Sequence, residues 1–240
     1  MQGASLVFFA YIGFDALSTA AEETIQPQKN IPIGIIVSVL ICTAVYIIVS
    51  LLLTGIVPYT SLNVDSPVAD ALLSIGYPFA AGIIAVGAIA GLTTVMLVMY
   101  YGLSRICLAI ARDGLLPAFL SKIHPTRKTP TAIIMISGVI IAVIAGFFPI
   151  GKVAQLVNIG TLMAFTLVCA GVILLRKMHP EIKRPFKLPW NPIIPLLGVL
   201  FCVYLMLHLP AVTWWGFAIW MILGLFIYLS YGRNHSLLKK

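Results

Sequence analysis

Seven long apolar stretches, each bounded by charged or turn-forming residues, leave this chain little choice of solvent. They run near 3–24, 33–57, 79–111, 131–148, 153–175, 193–211 and 213–231. Their lengths suit helices that cross a hydrocarbon core, which takes about 20 residues at about 1.5 Å of rise each. Only 9% of the residues are charged against 61% hydrophobic, whereas a soluble domain carries charge on about a quarter. The chain therefore reads as an all-α integral membrane protein of about seven transmembrane helices. Its 240 residues leave no room for a separate soluble domain, so soluble enzyme folds are excluded.

The net charge of +8 raises the question of a nucleic-acid partner, and the positions of the charges answer it. Of the 15 lysines and arginines, all but Lys152 are Lys29 or lie in 105–129, in 176–187 or in the tail from Arg233. With alternate crossings these segments share one face. A surplus of Lys and Arg marks the cytoplasmic side, so the C-terminus is expected there, in a multi-pass protein of the plasma (inner) membrane with the lipid bilayer as its partner. No nucleic acid is implied. Cys42, Cys107, Cys169 and Cys202 each fall inside an apolar run with no close pair, and His124, His179, His208 and His235 are scattered. No metal or cofactor is expected, and the cysteines read as packing residues.

Local signals add detail. Ser66-Pro67 ahead of Val68 to Ile75 and Gly76 predicts a short outer-surface helix with a side-chain N-cap and a glycine terminator. In 114–124, Leu116, Phe119, Leu120 and Ile123 recur at helical spacing, which predicts a helix lying on the inner membrane face; Pro117 opposes its start. Gly82, Gly87, Ala88 and Gly91, and Gly138 with Ala142, would let helices approach closely. The third stretch is too long for an untilted crossing, so its end from Arg105 should project into water. Trp190, Trp214, Trp215, Trp220 and Tyr59 fall near stretch ends, as interfacial anchors do.

The first stretch carries the chemistry. Phe8-Phe9-Ala10-Tyr11-Ile12-Gly13-Phe14-Asp15-Ala16-Leu17-Ser18-Thr19 sets a glycine and a carboxylate in the middle of an expected crossing. An aspartate there costs on the order of 3 kcal/mol, so it must face protein, water or a helix end. A helix broken over Tyr11 to Phe14 provides such an end. Asp15 would cap the second half by accepting amides near Leu17 and Ser18, while the first half would expose its last carbonyls. Unwound backbone at membrane depth persists only in protein or beside water, and discontinuous helices of this kind form the solute sites of secondary transporters. The plainer alternative is a kinked helix with Asp15 bonded to a neighbour. An intramembrane enzyme would need a nucleophile and base, or a metal cluster, at one depth, and the sequence has neither.

Phe9-Ala10-Tyr11-Ile12-Gly13-Phe14-Asp15-Ala16, then Glu22-Glu23, then Pro27-Gln28-Lys29-Asn30-Ile31-Pro32-Ile33-Gly34-Ile35 resembles the sixth helix and following loop of permeases of the amino acid–polyamine–organocation superfamily. The subgroup it looks most like is the cationic amino acid transporters. Ser104-Arg105, Ala111-Arg112-Asp113-Gly114-Leu115-Leu116-Pro117, Lys128-Thr129-Pro130 and Val157-Asn158-Ile159-Gly160-Thr161-Leu162 extend the resemblance along the chain. Such permeases have about twelve helices, with two inverted repeats in a LeuT-like fold. The match covers the sixth to the twelfth, with residues 1–175 as the second repeat and 193–231 as two additional helices of one membrane domain.

The resemblance implies amino-acid transport by alternating access, coupled to protons. The carbonyls of Phe9, Ala10 and Ile12 would receive the substrate ammonium at the break formed with Gly13 and Asp15. Phe14 would close over the substrate, and Thr93 and Met96 would border its side chain. Asn158 and Thr161 would bond across an outer gate, and Glu22, Glu23 and Arg105 would pair at an inner one. The partners implied are an amino-acid substrate and the first-repeat helices, supplied in cis or in trans. The alternative expectation, suggested by the start at Met1-Gln2-Gly3 just ahead of the break, is a truncated, non-functional remnant of such a permease.

Overall fold

The structure is a computed structural model and describes residues 2–19, 21, 24–62, 64, 66–182, 186, 190, 192 and 193–236. Helix is the only regular secondary structure among the described residues, with no strand among them. The helices are α1 (Gln2–Val7), α2 (Ala16–Thr19), α3 (Pro27–Ile56), α4 (Pro67–Ser74), α5 (Pro78–Arg112), α6 (Thr131–Phe147), α7 (Ile150–Met178), α8 (Ile193–Leu207), α9 (Ala211–Ile227) and α10 (Arg233–His235). Four helices, counting 211–235 as one, are long and apolar enough to cross a membrane, and three shorter apolar segments lie over 3–19, 131–147 and 193–207.

Proline punctuates the chain. Pro27, Pro67 and Pro78 open α3, α4 and α5, while Pro130, Pro149, Pro192 and Pro210 directly precede α6, α7, α8 and α9. A helix start has no use for the missing amide and gains from the fixed φ. This corrects one boundary: α3 begins six residues before the expected apolar window at 33, because Pro27 starts the helix ahead of the polar turn Gln28-Lys29-Asn30.

The chain divides into two compact units, one of Met1–Ile12 with Ser104–Lys240 and one of Gly13–Leu103. In the first, α7 lies against α8 and α9 around Ile159, Leu162, Met206, Leu209 and Phe217. Polar contacts tie the same helices: Thr213 Oγ1 donates to Gln155 Oε1 at 3.1 Å, and Trp214 Nε1 to the Met206 carbonyl at 3.2 Å. A Cβ placed on Gly198 would lie 2.8 Å from Cys169 Sγ, so α7 and α8 meet where a side chain is missing.

In the second unit α4 packs on α3, and Ala71 of α4 is buried. The expected helix over 66–76 is present, and Gly76, at φ +83°, ends it: the Gly76 amide bonds Leu73 O and the Tyr77 amide bonds Leu72 O. That pair of bonds is the Schellman arrangement, and it recurs at Gly114 (φ +78°) after α5, where the Gly114 and Leu115 amides reach Ala111 O and Ile110 O. Ser66, however, makes no side-chain cap.

Two expectations fail. The inner-surface helix over 114–124 is reduced to a 3₁₀ turn at Ala118–Ser121 between an extended Pro117 (ψ 136°) and an extended Lys122 (ψ 127°). Beyond it the His124 ring, through Nδ1, accepts the amides of Thr126 and Arg127, which curls the chain into a loop instead. Among the described residues the Gly82, Gly87 and Gly91 face meets no atom within 4 Å of a placed Cβ and so stays open to a neighbour, while close approaches on glycine include Gly13, Gly102, Gly198, Gly216 and Gly232. Nor does every cysteine pack, since Cys42 is exposed on α3.

Candidate functional site

The first apolar stretch is broken where the glycine and aspartate fall. α1 tightens into a 3₁₀ turn at Phe8–Tyr11, and Ile12 then turns extended at φ −62°, ψ 129°. Gly13 stands at φ +133°, a conformation open in practice to glycine alone. Helical hydrogen bonding resumes from there: the Ala16 amide bonds Gly13 O at 3.1 Å, and the Ser18 amide bonds Asp15 O at 2.9 Å. The Ser18 and Thr19 hydroxyls add bonds to the carbonyls of Asp15 and Ala16.

Asp15 differs from its expected role. Its Oδ1 accepts the Gly13 amide at 3.1 Å, so the carboxylate folds back over the break instead of capping Leu17 and Ser18. The cause is the break itself: with Gly13 at positive φ its amide has left the helical ladder and lies two residues from a short acidic side chain, the geometry of an Asx turn run backwards. The carboxylate thereby closes the unwound segment and brings a negative charge to it.

The carbonyls assigned to the substrate ammonium divide. Phe9 O already accepts the Ile12 amide at 3.2 Å, so only its second lone pair remains for a ligand. Ile12, being extended, turns its carbonyl off the helix axis. Ala10 is exposed and Phe14 half-buried.

Within the second unit, α5 lies beside the second half of the broken helix. A Cβ on Gly13 would fall 2.9 Å from Met99 Cε, and one on the buried Gly102 would fall 3.6 Å from Thr19 Oγ1. Of the α5 residues expected at the site, Thr93 and Met96 are exposed, and the Thr93 hydroxyl bonds Ile89 O of its own helix at 2.8 Å. The thioether that touches the break is Met99, one turn after Met96. Sequence reasoning passed over it, although the i, i+3 spacing from Met96 to Met99 was there to be read.

The expected gates separate likewise. Thr161 bonds the Val157 carbonyl of its own helix at 2.9 Å. Asn158 is buried at 1% exposure and its amide nitrogen donates to the carbonyl of Ser5, on α1. Ser5, fully buried, in turn donates through Oγ to Leu205 O on α8 at 3.1 Å. The Phe8 and Phe165 rings meet edge to face at 6.0 Å beside these bonds. Arg105 is half-buried on α5, while Glu22 and Glu23 lie outside the described residues. No group of three metal-ligating side chains occurs among the described residues.

Comparison with known proteins fits this architecture. The amino acid permease family matches residues 1–227. The methylthioribose transporter of Bacillus subtilis (strain 168) is 51% identical over 237 residues, 99% of this chain and 51% of that protein. The branched-chain amino acid permease of the same organism is 50% identical over 240 residues, 100% of this chain and 52% of its own length. The vacuolar cationic amino acid transporter 4 of Arabidopsis thaliana is 41% identical over 181 residues, 75% of this chain and 30% of that protein. The chain thus spans about half the length of the bacterial relatives it matches. With its break-bearing first segment and four long apolar helices, this chain is a membrane protein of the amino acid permease family.

Proposed function

We propose that this chain is the second-repeat portion of a secondary transporter that moves amino acids by alternating access with proton coupling, and that it works together with first-repeat helices supplied in cis or in trans. Residues 1–175 form the repeat and 193–231 two additional helices. The protein resides in the plasma membrane with its C-terminus in the cytoplasm, in keeping with the one-sided lysines and arginines.

The observation that carries this reading is the broken helix over Ile12 to Asp15. A helix C-terminal end presents partial negative charge, which suits the ammonium of an amino acid at the carbonyls of Phe9, Ala10 and Ile12. Phe14 closes over the solute, and Thr93 and Met96 border its side chain. The described residues leave apolar faces on which such helices can lie. α3 contains no buried residue, and the Gly82, Gly87 and Gly91 face of α5 meets no described atom within 4 Å.

The substrate is a neutral amino acid. This reading rests on the likeness to the branched-chain amino acid permease, 50% identical over 240 residues; Asp15, the acidic side chain at the break, uses one lone pair of Oδ1 on the Gly13 amide. Competition uptake into proteoliposomes tests both parts: excess leucine, isoleucine or valine should suppress labelled amino-acid entry, and excess lysine should not. Entry blocked by lysine alone would reverse the substrate assignment, and the absence of any amino-acid entry would reject the transporter.

A further inference from the structure

We propose that Asn158 is a positioning residue of this transporter: from α7 it fixes the point at which the first half of the broken helix changes from α to 3₁₀ geometry. The inference rests on the transporter reading above. In a continuing α-helix the Ser5 carbonyl would accept the Phe9 amide, four residues on. Here the helix tightens at Phe8, and the Ser5 carbonyl is held by the Asn158 amide nitrogen, 153 residues away in sequence. The Ser5 hydroxyl is fastened separately to Leu205 O. One residue, a single turn before Phe9 and Ala10, is thus clamped from two helices.

The other half of the Asn158 carboxamide gives the reason to look for a role. Its Oδ1 is buried and has no hydrogen-bond partner among the described residues. A leucine at this place would avoid that cost, so packing alone does not explain an asparagine there. What the side chain does supply is a donor to a carbonyl that the tightening helix has released.

The geometric consequence can be sized. A 3₁₀ helix rises about 2.0 Å per residue against about 1.5 Å for an α-helix, and turns about 120° against about 100°. If Phe8–Tyr11 relaxed to α geometry, Ile12 would shift by about 2 Å and rotate by about 80°. The carbonyls of Phe9, Ala10 and Ile12 would then point elsewhere, and a misplacement of about 1 Å at a functional site can cost on the order of a hundredfold in rate.

The test compares Asn158→Leu and Asn158→Asp in the assembled transporter, reconstituted in vesicles, each scaled to wild type at the same pH. The leucine variant should lose at least about tenfold in uptake at every pH. The aspartate variant should lose as much at high pH, where a carboxylate cannot donate to the Ser5 carbonyl, and should recover as the pH falls into the raised titration range of a buried carboxyl, whose O–H can. Hydrogen exchange over Phe8–Ile12 in the same vesicles should follow the same pattern, fast in the leucine variant and acid-slowed in the aspartate one, with α9 unchanged. Wild-type uptake by the leucine variant, or an aspartate variant with no acid recovery in either measurement, would overturn the proposal. Should the leucine variant fail to insert, the aspartate variant decides alone. If the wild type moves no amino acid, the transporter reading fails, while the exchange comparison still decides the role of Asn158.

Discussion

Replacing Gly13 by alanine adds one carbon atom at the place where the first helix is broken. Two costs arise there. A residue with a Cβ is strained at φ +133°, by about 1–3 kcal/mol for a sparsely populated backbone conformation. The new methyl would also lie 2.9 Å from Met99 Cε; Met99 is flexible and yields by leaving its rotamer, at about 0.5–1.5 kcal/mol. Together the substitution should destabilise the break by about 2–4 kcal/mol. Denaturant titration in mixed micelles reads this as a lowered midpoint for Gly13→Ala. The double variant Gly13→Ala, Met99→Ala separates the two terms: it should recover about 1 kcal/mol of coupling and leave the backbone strain in place. A Gly13→Ala protein as stable as wild type, or one restored fully by Met99→Ala, would refute the positive-φ explanation of the break.

Three further substitutions probe the surrounding geometry. Asp15→Ala removes the acceptor of the Gly13 amide and should abolish uptake, whereas Asp15→Asn keeps an acceptor oxygen and should preserve the break, as read by hydrogen exchange of Gly13; equal effects of the two would show that the bond is immaterial. Gly198→Ala brings a methyl to 2.8 Å from Cys169 Sγ and should cost about 1–3 kcal/mol by overpacking α7 on α8, with Cys169→Ala restoring most of it in a melting experiment. Gly76→Ala faces open space at φ +83°, so it should cost only about 1–2 kcal/mol through the backbone and leave uptake unchanged.

How far the sequence foretold the structure depends on the range of the interaction. The break was legible because glycine and aspartate amid an apolar run have few reasons to be there, and the α4 terminator because Gly76 ends a helical pattern. The helix expected at 114–124 rested on periodicity, which loses to the extended backbone of Pro117 and to the ring of His124 that gathers the next amides. Asp15 was rightly placed at the break, but its direction follows from the φ of Gly13, which composition cannot supply. Met99 lay within reach of the reasoning that chose Met96. The bond from Asn158 to Ser5 joins residues 153 apart, and no local pattern announces it. The side chain of Asn158, expected at a gate, lies buried on α7 with its amide nitrogen on the Ser5 carbonyl of α1.

The most direct test asks whether the unwound segment itself holds the solute. A cysteine in place of Ala10, in a background with Cys42, Cys107, Cys169 and Cys202 replaced by serine, should react with a small maleimide in the assembled transporter. Saturating substrate amino acid should slow that labelling severalfold, while a cysteine in place of Tyr59, 79% exposed in the turn that follows α3, should label at the same rate with and without it. Equal labelling at residue 10 in both conditions, from a protein still competent for uptake, would contradict the assignment of the helix break as the solute site.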